Sequence, residues 1–124
     1  MSYIDKLFSL HGKVAVITGG AGFLCSEMAQ GLHRAGCAVA LLDSDIAGAE
    51  TVAGKIINDH GRALVLEMDV CRKKDFECCL VKIVEEFDRV DVLINGAGLN
   101  APTPFLEIAE KEWDHIMAVQ LKGT

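Results

Sequence analysis

The chain has 124 residues, 51% of them hydrophobic and 24% charged, with a formal net charge of −6. That length suits one domain with an ample core, and the acidic balance argues against nucleic acid and anionic membrane surfaces as partners. No apolar run approaches the roughly 18 residues that cross a bilayer, and Asp5, Lys6, His11 and Lys13 interrupt the N-terminal segment where a signal peptide would be continuous.

In chain order, short β-type runs alternate with longer helical ones. Residues 13–18, KVAVIT, predict a buried strand that runs straight into glycines. From Leu24 to about Ala35 the pattern turns helical, with Leu24, Met28, Leu32 and Ala35 on one face and Gly36 as the expected C-terminal stop. Residues 38–42, AVALL, predict a second strand ended by Asp43-Ser44-Asp45. A helix follows with Ile46, Ala49, Val52, Ala53, Ile56 and Ile57 at helical spacing, stopped by Gly61. A third strand spans 63–67 and closes at Asp69-Val70. Phe76, Leu80, Ile83, Val84 and Phe87 then mark a helix, with Arg72-Lys73-Lys74 as its solvated start. Residues 90–95, VDVLIN, make a fourth strand followed by glycines. After a loop holding Pro102 and Pro104, a last helix begins near Glu110 with Trp113, Ile116, Met117 and Gln120 on one face.

Strands alternating with helices of this length predict parallel pairing with right-handed crossovers. The expected fold is α/β, a doubly wound parallel sheet (Rossmann fold) with four strands in the order 3-2-1-4. With only five Phe, one Tyr and one Trp the core must be aliphatic, which suits strands covered on both faces. The fourth strand is apolar almost throughout yet would form an edge, as in the N-terminal portion of a larger sheet or a chain that takes a partner. The five cysteines (25, 37, 71, 78 and 79) show no paired spacing, so free thiols in a reducing cytoplasm are expected. The histidines at 11, 33, 60 and 115 have no ligand spacing, and no metal site is expected.

Open α/β sheets bind ligands beyond the carboxyl ends of their strands, where strand order reverses. That place lies between the first and fourth strands, with Gly19, Gly20 and Gly22 at one end and Gly96 and Gly98 at the other. Glycine lets a ligand approach the main chain, and a pyrophosphate would sit at the N-terminus of the helix that starts near Leu24. Asp43, 24 positions after Gly19, is placed to accept hydrogen bonds from an adenosine ribose and to repel a 2′-phosphate, which favours NAD over NADP. Helix capping is the competing role for Asp43, and equally for Asp69.

The stretches GKVAVITGG, the acid Asp43, MDV at 68–70, VDVLINGAG at 90–98 and EWDHIMAVQLKGT at 112–124 together resemble the short-chain dehydrogenase/reductase family. The resemblance covers essentially the whole chain. Within the family, the TGG-x-G-x-LCS-x-M spelling with a later INGAG is most similar to members described as D-mannonate or fructuronate oxidoreductases. It implies that Thr18, Gly19, Gly20, Gly22, Phe23 and Leu24 form the pyrophosphate turn. Asp43 would hold the ribose, and Asp69 with Val70 the adenine. Asn95, Gly96, Ala97 and Gly98 resemble the family's NNAG segment along the cofactor. Two positions depart from the pattern: Cys25 replaces the last glycine of the turn, and Gly96 replaces the second Asn. Cys25 has two readings, a packing side chain or a reactive thiol whose pKa the helix N-terminus lowers.

Gln120 stands where the resemblance implies the catalytic Asn, VQLKGT for VNLKGT, and its extra methylene shifts the amide by more than about an ångström, a scale to which proton relays respond. The family's catalytic Ser, Tyr and Lys come after the point where this chain ends, and Tyr3, its one tyrosine, precedes the first strand. The expectation is therefore a Rossmann domain over 1–124, truncated before the catalytic region. It would be the cofactor-binding part of an NAD-dependent oxidoreductase acting on a secondary alcohol or ketone, with sugar acids among the expected substrates. The resemblance also implies a homo-oligomer when the protein is full length. The alternative is a nucleotide-binding module that turns nothing over.

Overall fold

The central strand carries the fold. Val14–Thr18 (β1) is buried at every residue, because each alternate side chain finds a helical layer on its own side of the sheet. The computed structural model describes residues 1–99 and 102–124. It places four parallel strands in the order β3-β2-β1-β4, with β2 at Ala38–Asp43, β3 at Ala63–Glu67 and β4 at Val92–Asn95, as the alternating pattern predicts. In register, Thr18 lies between Leu42 of β2 and Asn95 of β4, so three strand ends converge at one level.

Helices α2 (Phe23–Arg34) and α3 (Ile46–Asn58) cover one face of the sheet, packing Ala29, Ala49, Val52 and Ile56 on Ile17, Val39 and Leu41. Helix α4 (Lys73–Phe87) covers the other, setting Cys79, Ile83 and Phe87 against Val16, Ala40 and Leu42. Ile17, Leu41 and Ile56 are fully buried, each worth about 1.5–3 kcal/mol of transfer free energy.

The buried faces of α2 and α4 match the predicted ones in part, with Leu32 on α2 and Phe76, Ile83 and Phe87 on α4 turned inward as expected. On α2 the buried stripe is Cys25 and Ala29, with Leu32 packed beside them, while Leu24 and Met28 are exposed. The helix carries two adjacent apolar stripes, and the small residues of one allow a closer approach to the sheet. On α4, Leu80 and Val84 are likewise exposed, and Cys79 takes the inward position. Ile57 of α3 also faces outward. The turn after α3 comes earlier than Gly61, at His60, whose φ is 62°.

A short helix, α1 (Tyr3–Phe8), was not legible from periodicity because it buries nothing. It is held locally: the Ser2 hydroxyl accepts the Asp5 N–H and the Asp5 carboxylate accepts the Ser2 N–H, a reciprocal capping box. After β4, a 3₁₀ turn (Phe105–Glu107) leads to α5 (Glu110–Met117), which widens into a π-turn at Ala118–Lys122. The predicted face of Trp113, Ile116 and Met117 has no buried residue. Along β4, half-buried Val92 and Ile94 alternate with exposed Leu93 and Asn95, so the strand is covered on one side only. Among the described residues, no helix is long and apolar enough to cross a membrane.

Residues 90 and 91, expected at the start of the fourth strand, precede it, and Asp91 acts as its anchor. Asp91 accepts the Val14 N–H at 2.9 Å and pairs with Arg89 and Lys13. The Arg89 hydrogen bond, then that of the Val14 N–H, holds the Asp91 carboxyl below the usual carboxylate range. A depressed native pKa contributes stability above the unfolded-state pKa and loses it as pH falls through the native one. Asp91→Asn is therefore expected to lower the urea midpoint at pH 7. The gap to wild type should close as pH drops below about 4, the ordinary Asp value. Asp5, also held low by Ser2, titrates in both proteins and cancels from that difference.

Candidate functional site

The cleft opens where β1 and β4 end side by side. Thr18, the last residue of β1, is 2% exposed, and its hydroxyl accepts the N–H groups of Gly96 and Ala97 at 3.1 and 3.3 Å. This clamp draws the loop after β4 against the glycine turn after β1. Gly19 adopts a φ of +67°, and a Cβ there would lie 2.8 Å from the Ala97 nitrogen and the Gly96 oxygen. A side chain is excluded twice, by the left-handed backbone and by the opposing main chain. The Gly19 and Gly20 N–H groups both bond the Leu42 carbonyl, which ties the turn to β2.

Helix α2 begins at this turn. Its N-cap, Gly22, offers no side-chain acceptor, so the first-turn N–H groups have no capping side chain and point their partial positive charge toward the cleft. Asp43 completes the arrangement from the end of β2. One of its oxygens accepts the Ala21 N–H and the other the Asp45 N–H, each at 2.9 Å. Capping of α3 falls to Asp45, which accepts the Gly48 N–H, so Asp43 is the clamp of the glycine turn rather than a helix cap. Asp69 folds its own turn, accepting the Cys71 N–H at 2.9 Å.

The resulting cleft has a volume of about 420 Å³. Of the residues singled out from sequence, Gly19, Gly22, Asp43, Asp69 and Val70 line it, together with Gly96, Ala97 and Gly98. Thr18 and Gly20 lie behind it. Thr18 is the buried clamp, and Gly20 packs on Leu41, where a Cβ would come within 2.9 Å. Phe23 and Leu24 are exposed on α2, and Asn95 is exposed on β4. Gln120 stands at the rim, its amide donating to the Leu99 carbonyl. That supplies the partner its polar group needs, in an exposed rather than an apolar setting.

Sequence reasoning missed Ser44, Met68, Leu99, His115 and Val119, which also line the cleft. Ser44, Met68 and Leu99 each neighbour a residue already singled out. His115 and Val119 are four apart, one helical step, and reach the cleft through the placement of α5, which no local pattern announces.

Cys25 is buried at the base of this arrangement. Burial, and then the nearby Asp43 carboxylate, push its thiol pKa up. The geometry supports packing over the reactive-thiol reading, in which the helix end lowers that pKa.

The donor set fits a dinucleotide: uncapped helical N–H groups and bare glycine main chain for phosphates, and a carboxylate at the neighbouring strand end for a ribose. Gly19→Ala should raise the dissociation constant for such a ligand by tenfold or more and lower stability by about 1–3 kcal/mol, the cost of strained backbone. Ligand titration beside thermal unfolding checks both. Unchanged affinity would mean that the main-chain contact with Ala97 does not shape the cleft.

The family profile for short chain dehydrogenase matches residues 13–124. A D-threitol dehydrogenase of Mycolicibacterium smegmatis is 31% identical over 121 residues, covering 98% of this chain and 46% of that protein. A Haemophilus influenza protein provisionally assigned as a D-mannonate oxidoreductase, solved with bound NAD, superposes with a TM-score of 0.87 at 26% identity. It covers 97% of this chain and 49% of its own. A metagenomic short-chain oxidoreductase in complex with NADP gives a TM-score of 0.83 at 28% identity, over 91% of this chain and 52% of that one. The chain thus spans about half the length of the relatives it matches. The parallel sheet in 3-2-1-4 order, the glycine turn and the match along nearly all of its length carry one conclusion: the chain belongs to the short-chain dehydrogenase family of oxidoreductases, whose members bind a nicotinamide cofactor.

Proposed function

We propose that this chain is the cofactor-binding part of an NAD-dependent dehydrogenase whose substrates are secondary alcohols of the polyol and sugar-acid class. The observation that carries the reading is the meeting of Gly19, the uncapped start of α2 and the Asp43 carboxylate in one cleft. Gly19, Gly22 and the first-turn N–H groups of α2 hold the phosphates, with Thr18, Gly20, Phe23 and Leu24 shaping that turn. Asp43 accepts from the ribose hydroxyls, and Asp69 with Val70 borders the adenine. Gly96, Ala97 and Gly98 form the opposite wall, with Asn95 at its base. The cofactor, when bound, supplies hydride transfer at the alcohol carbon. The protein's part is to orient it and to exclude water.

NAD is favoured because a carboxylate at the end of β2 repels a 2′-phosphate, and the residues after Asp43, Ser44-Asp45-Ile46, bring no cation to offset it. The substrate class rests on the similarity to the D-threitol dehydrogenase and the D-mannonate oxidoreductase. A binding module without turnover is the second reading. Among the described residues no tyrosine or lysine lines the cleft, and Tyr3 is exposed on α1. In the complete protein we place the proton-handling Ser, Tyr and Lys outside this chain, with Gln120 steadying Leu99 at the rim, further sheet strands continuing from β4, and assembly as a homo-oligomer.

Calorimetric titration of the purified protein is expected to show NAD binding with a submillimolar dissociation constant and NADP binding at least about tenfold weaker. Asp43→Ala should weaken NAD by about tenfold and narrow the gap to NADP. No heat with millimolar NAD would overturn the cofactor reading, and tighter NADP binding would overturn the preference. An absorbance assay of the complete protein with NAD against polyols and sugar acids then separates turnover from binding alone.

A further inference from the structure

The two departures from the family spelling, cysteine at 25 and glycine at 96, meet in space. Cys25 lies in the first turn of α2 and is 7% exposed. Gly96 lies on the opposite wall, its N–H held by the Thr18 hydroxyl. A Cβ built on Gly96 would fall well inside contact distance of the Cys25 sulfur, and 2.7 Å from the Thr18 carbonyl oxygen. The thiol occupies the space that a residue-96 side chain would need. Gly96 has a φ outside the left-handed region, so its backbone conformation alone does not demand glycine. The thiol and the Thr18 carbonyl do.

We infer that Cys25 and Gly96 are a reciprocal packing pair, in which the thiol substitutes for a side chain at 96 and sets the distance between the first turn of α2 and the β4 wall of the cleft. Enlarging one member without shrinking the other overpacks a buried contact, and interiors resist overpacking because they are already dense. Shrinking Cys25 alone leaves a void under the wall. The pair therefore exchanges volume across the cleft floor, and Cys25 acts as a positioning residue. Its consequence for affinity rests on the dinucleotide reading above; the packing itself does not.

Alkylation by iodoacetamide of the native protein, mapped by peptide mass, reads the contact directly. In the wild type, Cys25 should react as slowly as buried Cys37 and Cys79, and far more slowly than exposed Cys71 and Cys78. Gly96→Ala should expel the thiol, raising the Cys25 rate by about tenfold or more through local opening while Cys37 and Cys79 stay slow. A merely global loss of stability would raise all three. The NAD dissociation constant should rise by about tenfold, and Cys25→Gly/Gly96→Ala should recover part of that loss, because the thiol contact is relieved while the Thr18 carbonyl contact stays, the non-additivity expected of residues in contact. Additive effects in the double variant, or an unchanged Cys25 rate in Gly96→Ala, would overturn the pair. If Gly96→Ala alone does not fold, recovery of a folded double variant supports the pair. Failure of both overturns it, since the Thr18 carbonyl would then be what excludes a side chain. Should the wild type bind no NAD, the labelling still decides the packing, and only the cofactor reading falls.

Discussion

One buried hydroxyl holds the architecture of the cleft together. Thr18 is the one buried polar side chain among the described residues. Its oxygen accepts two N–H groups from the loop after β4, and it lies within 3.5 Å of the Ile94 carbonyl. Left unpaired, such a group would cost about 1–3 kcal/mol. Satisfied, it fixes where the end of β4 sits relative to the end of β1. The glycine turn follows from that placement, because Gly19 has no room for a side chain once Ala97 is drawn in.

Carboxylates around the cleft divide their tasks cleanly. Asp45 caps α3, Asp69 closes its own turn, and Asp43 spans the Ala21 and Asp45 N–H groups while facing the cleft. Asp43 therefore stiffens the glycine turn through the same carboxylate that lines the cleft, so the shape of the turn and the charge of the cleft wall are coupled in one side chain. A fourth carboxylate, Asp91, does comparable work at the opposite end of the sheet by tying the segment before β4 to Val14.

The strands were legible because buried parallel strands leave an unmistakable mark, short Val/Ile/Leu/Ala runs ending in Gly or Asp. Their alternation with helices was enough to expect a doubly wound parallel sheet, and the 3-2-1-4 order expected for it is the one seen here. Helix orientation was harder. Leu24 and Met28 are as apolar as Cys25 and Ala29, and a 3.6-residue period accepts either stripe. The sheet selects the smaller one because main-chain proximity, not hydrophobicity, limits the packing. Helix α1 escaped notice because a capping box, rather than a buried face, holds it.

By itself, the sequence determined the element order, the glycine turns and the acid at the end of β2, since each depends on local backbone chemistry. Tertiary structure alone decided that His115 and Val119 reach the cleft, that Asp43 ties down the glycine turn, and that Cys25 and Gly96 touch. The physical reason is distance along the chain. Residues 25 and 96 become neighbours only when β1 and β4 pair, and local propensity carries no record of a contact made across 71 positions. Two substitutions that look like separate losses in the sequence become, in the folded molecule, one exchange of volume.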